Sequence, residues 1–577
     1  MKNILSILVL VFCATAAQAR QDTILPDLAP REVEITGDLS IVFPTLRRQP
    51  IVGFNPPPPV PDISSGRRPF TEAYKQPSAD LPPSPLSAPE PPDVSAMATR
   101  TPIRGIVDIS AGRFLDRSLD ADITLISTEN TSALVSATYF GTEGQDVTVG
   151  GVGTDTGRNH MSITPSLDRR VGSLFLGLGG TAFRNSYSLF GAQPAVGVPS
   201  RSSPDRTFSG YDGTISLNSE PGSSVEFHSA LTAGKTSLET DVFDAAVRVD
   251  PVTTRDESYL TLKTSLSVPM QDASINVSVD GATSGLDAGS FPGSTIKSGM
   301  ASASFKYLYS AKLELEAGAA LMGFDSKAQS VGGIAQSLSY FSPVLRATYS
   351  LSPSVKLDIG NTPSMNTALS KDLYRLSPFM MDEPRILPSM STIDANAGVS
   401  IQSEFVSGSA RGGYRDIPFS RYPVHPAVAA LGYVRGYPAF QYSDVDVLYF
   451  EASLTAVPVS GFQVGVDMLL QDASVSATDL DVPYTPSMSF GGFASATMLK
   501  GDAEFRLAFE HESKRTIDVL AATQIPSVTR IHIMWSYFFH DDYALMTGVR
   551  DLGTGPGYWD GYDFESDSFY LGLRYRW

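Results

Sequence analysis

From about Pro102 to the C-terminus, apolar and polar residues alternate in stretches of about 10 to 14 positions, separated by turn-rich segments. The last stretch is the clearest. Phe569, Leu571, Leu573, Tyr575 and Trp577 fall on one face, and Tyr570, Gly572, Arg574 and Arg576 on the other. A period of two sends successive side chains to opposite sides of a sheet, so each such stretch predicts a strand with one apolar face. The split recurs upstream. Ile531, Ile533, Trp535, Tyr537 and Phe539 oppose Arg530, His532 and Ser536, and Leu313, Leu315, Ala317, Ala319 and Leu321 oppose Lys312, Glu314 and Glu316. The segments Ala503 to Glu510 and Phe462 to Gln471 divide in the same way.

The spaces between strands alternate too. Backwards from Trp577, long loops are expected at 551–566, 513–526, 472–485, 417–442 and 362–390. Between them fall short turns at His540-Asp541-Asp542, Lys500-Gly501, Pro458 to Ser460, Phe405 and Ser352-Pro353. Further short turns are expected near Ser310, Met270-Gln271, Glu220-Pro221-Gly222, Asp168-Arg169 and Thr128-Glu129. A soluble sandwich also alternates, but strands this long, with aromatics gathered at their ends and short turns on one side only, predict a transmembrane barrel. The expected fold is all-β, an antiparallel barrel of about 22 strands (18–22), the first near Ile103 to Gly112.

Composition changes the picture mainly at the N-terminus. Lys2, the apolar run Ile4 to Ala14 and Ala17-Gln18-Ala19 read as an export signal over 1–19, too short to span a bilayer. The single cysteine, Cys13, lies within it after Phe12, which argues against a lipoprotein; the exported chain would carry no disulfide or thiol chemistry. Residues 20–102 hold 18 of the 41 prolines, with Arg pairs at Arg47-Arg48 and Arg67-Arg68. Such sequence favours extended polyproline II and packs no core. It is expected to form a periplasmic or lumenal arm ahead of the barrel at 103–577, either a spacer or a strap threading the lumen. The formal net charge of -18 excludes an electrostatic nucleic-acid binder.

An aromatic final residue preceded by apolar residues at every second place resembles the assembly signal of bacterial outer-membrane barrels, which implies outer-membrane lipid and the barrel assembly machinery as partners. The strand number, the closing segment Arg530 to Trp577 and the stretch Leu351 to Val399 resemble the barrel domain of TonB-dependent receptors. Near the N-terminus, Glu32-Val33-Glu34-Ile35-Thr36-Gly37 is similar to the short TonB box of that family, which pairs as an added strand with TonB. The family carries a folded plug of well over a hundred residues, whereas the segment ahead of this barrel is shorter and Pro-rich. The resemblance is therefore to the barrel without a recognisable plug.

Chemical motifs are sparse. The six histidines show no metal-ligand spacing with one another. Gly234-Lys235-Thr236 echoes a phosphate loop, but Ser229 stands where the earlier glycine is required and no helix start follows. No nucleophile is singled out, so no enzyme, catalytic residue, metal or cofactor is expected. The loop Asp551 to Asp567 gathers Tyr558, Trp559, Asp560, Tyr562, Asp563 and Glu565 among glycines, either a ligand platform or an interfacial aromatic belt with an acidic loop. The loop 417–442, with Tyr422, His425, Tyr433, Tyr437 and Phe440, is a second such surface.

Three functions fit these features. The first is uptake of an unidentified ligand in the manner of a TonB-dependent receptor. The second is a passive or arm-gated channel, favouring cations. The third is a structural barrel whose arm binds a periplasmic partner other than TonB.

Overall fold

The computed structural model describes residues 104–577, apart from single positions and short stretches within the connections, the longest being 195–204, 242–251, 329–335, 381–385, 425–432 and 563–567. The export signal 1–19, the arm 20–102 and the box-like segment Glu32–Gly37 lie outside the described residues.

The main sheet holds 23 strands, one of them the two-residue piece Leu480–Asp481, so 22 form the wall. Each wall strand pairs antiparallel with the next in sequence. The last, Ser568–Arg576, returns to the first, Gly105–Gly112, from Ile106 opposite Arg576 to Gly112 opposite Tyr570. Closure leaves no sheet edge unpaired, as a barrel in lipid requires.

One rim carries only short connections: 128–130, 172–173, 220–225, 270–272, 311–312, 353–354, 403–405, 460–461, 499–502 and 541–542. The opposite rim carries 143–157, 189–204, 242–251, 329–335, 362–392, 425–438, 476–487, 513–527 and 555–567, with shorter connections at 113–116 and 289–290. The expected alternation holds, and two positions are corrected. The turn placed at Asp168-Arg169 is at 172–173, because Arg169 and Arg170 continue the strand Arg158–Val171 and Arg170 reaches Glu220 of the next turn at 2.6 Å. The loop placed at 417–442 is only 425–438. The strand Val406–Val424 runs through Tyr422 after a break in register between Ile417 and Ser420, which hides its alternation.

The strands are longer than a bilayer needs. About 9–11 tilted residues suffice to cross, yet Ala439–Val459 has 21 and Phe291–Ser310 has 20. The surplus stands on the long-loop side, and there the polarity of each face inverts. On the strand Leu313–Ala328, Leu315 and Leu321 point outward and are exposed, while Glu314 and Glu316 face the lumen, paired to Lys306 at 2.9 Å and Ser304 at 2.5 Å. Higher up, the outward positions become Asp325 and Lys327, and the inward ones become Ala320, Met322 and Phe324, all buried. The strand Glu226–Asp241 does the same, with Leu231 outward below, Lys235 outward above, and Leu238 buried inside. Below the change the wall faces hydrocarbon; above it the wall encloses a small apolar core.

Aromatics ring the short-turn end, among them Tyr309, Tyr349, Phe405, Phe539, Tyr543 and Trp577, all exposed, as an interfacial girdle requires. The lumen wall at bilayer depth is polar and internally paired. Arg574 donates Nε and Nη2 to Asp108 at 2.8 Å each, and Arg411 gives Nε to Glu451 at 2.9 Å.

Candidate functional site

The apolar core above the bilayer is filled by the chain itself. The connection 362–392 turns down into the mouth instead of standing off it. Leu369, Leu373, Tyr374, Met380, Ile386, Leu387 and Met390 are all buried. Its short helix Ser370–Leu376 and the following Pro378–Met380 lie against four neighbouring wall strands. From Asp205–Ser219, Arg206 donates Nη1 to the carbonyls of Pro378 at 2.7 Å and Met380 at 2.6 Å, and Nε to Thr240 at 3.0 Å. Tyr187, on Leu174–Ser188, donates its hydroxyl to the same Pro378 carbonyl at 2.8 Å. Lys371 reaches Asp212 at 2.9 Å and sits over the Tyr259 ring. On Val252–Pro269, Arg255 donates to the Tyr374 hydroxyl at 2.9 Å, and Glu257 accepts the Ser370 amide at 2.7 Å.

Other loops complete a roof. Tyr484, Ile517, Ile525, Trp559 and Tyr562 share one buried cluster with Leu373, Tyr374, Met380 and Ile386. Phe379 stacks on Tyr562 with ring centres 3.7 Å apart, and Tyr484 meets Trp559 at 4.9 Å. Tyr484 adopts φ +57 and Phe419 φ +59, the left-handed region, which costs an L-residue about 1–2 kcal/mol. Each is held by its surroundings. The Tyr484 amide donates to the Thr516 carbonyl at 2.8 Å; the Phe419 amide donates to Asp444 at 2.9 Å, and its ring stacks on Tyr442. Strain kept in place by packing gathers at functional sites.

Under this roof lies a cavity of about 790 Å3. Its roof side is aromatic, with Phe379, Tyr484, Trp559 and Tyr562; its wall side carries Arg158, Arg415, Arg421 and Arg530 against Glu512 and Asp551. Arg415 is held in place: Nε and Nη2 are both given to Asp394, its face lies 4.6 Å over the Tyr449 ring, and the Tyr449 hydroxyl donates to Asp394 at 2.6 Å. Cationic planes beside aromatic faces suit a ligand with anionic and flat groups.

Of the loop singled out in the sequence, Trp559 and Tyr562 are brought together here and are buried in the roof, not set in a membrane belt. Tyr558, Asp560, Asp563 and Glu565 lie outside the described residues. Tyr422 and Phe440 of the second surface are strand residues, the former lining the cavity; Tyr433 sits in a three-residue strand, and His425 and Tyr437 lie outside the described residues. Gly234-Lys235-Thr236 is mid-strand, with Lys235 bound to Asp256 at 2.9 Å. Sequence reasoning missed the inward turn of 362–392 and its wall partners. The available signal was the run of apolar residues Ile386, Leu387 and Met390 inside a connection, opposite strand tops whose inward positions turn apolar.

No family model matches the chain, and no curated protein matches it. Solved structures do. The FrpB iron transporter from Neisseria meningitidis (F5-1 variant) aligns at 8% identity with a TM-score of 0.63, covering 82% of each chain. The siderophore receptor PiuA from Acinetobacter baumannii aligns at 11% identity and 0.59, over 82% of this chain and 81% of that one. The copper transporter OprC aligns at 10% and 0.61, over 82% and 80%. At such identities the likeness is one of fold, and by fold this 22-stranded barrel resembles the barrel domain of the TonB-dependent receptors.

Proposed function

We propose that the protein is an outer-membrane transport barrel that takes up a ligand at its long-loop mouth and passes it through the lumen in the manner of a TonB-dependent receptor. The observation that carries this reading is the roofed cavity, lined by arginines and aromatics, at the mouth of a closed barrel wide enough to conduct. The neighbours named as iron, copper and siderophore transporters or receptors support transport over catalysis. A passively open pore is less favoured, because the roof lies across the mouth.

In this reading Glu32–Gly37 is the strand offered to TonB, and the Arg-lined wall meets a ligand with anionic and planar groups. The test has two parts. The full-length protein is expected to bind the periplasmic domain of TonB, and deletion of 31–38, or Ile35→Pro, to abolish that binding by removing an added strand. Conductance in planar bilayers is expected to be silent for the intact protein. A steady current from the intact chain, equal to that of a chain lacking 20–102, together with no TonB binding, would replace transport by a channel.

A further inference from the structure

Ser370–Met380 lines the roofed cavity through Pro378 and Phe379, so the way this segment is fastened bears on when the cavity is open. Both halves of the connection are docked by apolar burial, but among the described residues the buried Arg206, Arg255 and Glu257 fasten only the first. Leu387–Thr392 is docked by apolar burial against Leu286, Ile296, Met322 and Phe324, and by backbone bonds to Tyr442 and Ser342. Ser370–Met380 also buries Leu373, Tyr374 and Met380 in one cluster with Phe208 and Leu238 of the wall, and it is tied to that wall by charged groups besides: Arg206, Arg255, Glu257 and the Lys371–Asp212 pair. That fastening is incomplete. Arg255 Nε and Nη2 and Glu257 Oε1 are buried with no hydrogen-bond partner among the described residues. Buried ions that make only part of their hydrogen bonds weigh against the state that buries them, and water would satisfy them on release.

We propose that Ser370–Met380 is a lid, latched to the wall by Arg206 and by the Arg255/Glu257 pair, which lifts to admit ligand while Leu387–Thr392 stays docked. The proposal rests on the cavity being the ligand site, but its test does not depend on transport. Val447 is an inward wall residue lining the cavity. In a Cys13→Ala background, Val447→Cys reports access from outside, read by a membrane-impermeant maleimide on intact cells. Lys327→Cys, on the exposed outer face, is the control.

With the latch intact, labelling of Val447→Cys should be slow and should stop rising with maleimide concentration, because lid opening becomes limiting. Arg206→Ala should speed it about tenfold or more, the equivalent of one charge-assisted hydrogen bond. Arg206→Lys, which keeps the charge but gathers its donors on one nitrogen, should fall between, and Glu257→Gln should also speed it. Lys327→Cys should label alike in all. Gel mobility before and after heating checks that each barrel is folded; should Arg206→Ala fail to fold, Arg206→Lys and Glu257→Gln carry the comparison. The proposal is overturned if the latch variants label at the parent rate, if the parent never labels, or if Val447→Cys labels as fast as Lys327→Cys. Lid opening without TonB binding would leave the lid standing and remove the energised reading.

Discussion

Arg574 spans the closing seam, giving both nitrogens of one edge to Asp108 on the first strand and approaching Glu504 at 3.5 Å on another. Asp108→Asn leaves the guanidinium with weaker partners and should lower the heat-modification midpoint of the barrel, at a cost of about 1–3 kcal/mol. The retained Glu504 keeps the loss toward the lower end. Tyr562→Ala acts elsewhere. It removes the ring stacked on Phe379 and leaves a hole in the roof, worth about 3–5 kcal/mol of local packing. Labelling at Val447→Cys should therefore quicken while the midpoint of the wall stays put. At this scale the sequence was half legible. Period two placed Arg574 inside and Leu573 outside, because alternation belongs to a single strand. It gave no view of Phe379 meeting Tyr562, or Arg206 meeting Pro378, since those pairs cross the lumen between segments far apart in the chain.

A strand here has two chemistries along one face, and this can be tested on Glu226–Asp241. Leu231→Arg puts a charge near the bilayer midplane and should cost about 2–4 kcal/mol, seen as loss of folded barrel in urea titration from liposomes. Lys235→Leu, on the same face four residues higher, should leave that titration nearly unchanged, losing only the exposed pair with Asp256. The strands and turns were readable wherever a single rule governed a whole stretch. Reading failed at 417–442, where the register break and the left-handed Phe419 interrupt alternation, so strand top passed for loop. Alternation gave no reading of strand tops such as Met322 and Phe324, where the apolar residues change to the inward face because of the core they enclose.

For the molecule as a whole, strand number and closure were legible because alternating connection lengths count strands independently of their faces. The filling of the mouth was not, because it depends on one connection choosing to turn inward. Removing 364–391 should leave a folded, heat-modifiable barrel, since the seven paired positions between Val355–Asn361 and Ile393–Gln402 lie outside the deleted stretch. Val447→Cys should then label at the rate of an exposed residue.

The inversion of polarity along the strands also fixes how thick a bilayer the protein accepts. On Gln336–Ser352 the lipid-facing residues run from Phe341 to Leu351, which is about ten tilted residues, or about 25 Å. The wall above that line is charged outside and cannot sink. In a membrane with longer acyl chains the barrel must therefore thin its surroundings or drag Lys235, Asp325 and Lys327 into hydrocarbon. Lipids of graded chain length would show insertion yield falling as the mismatch grows, so the chain is matched to a thin membrane and would be sorted away from thicker ones.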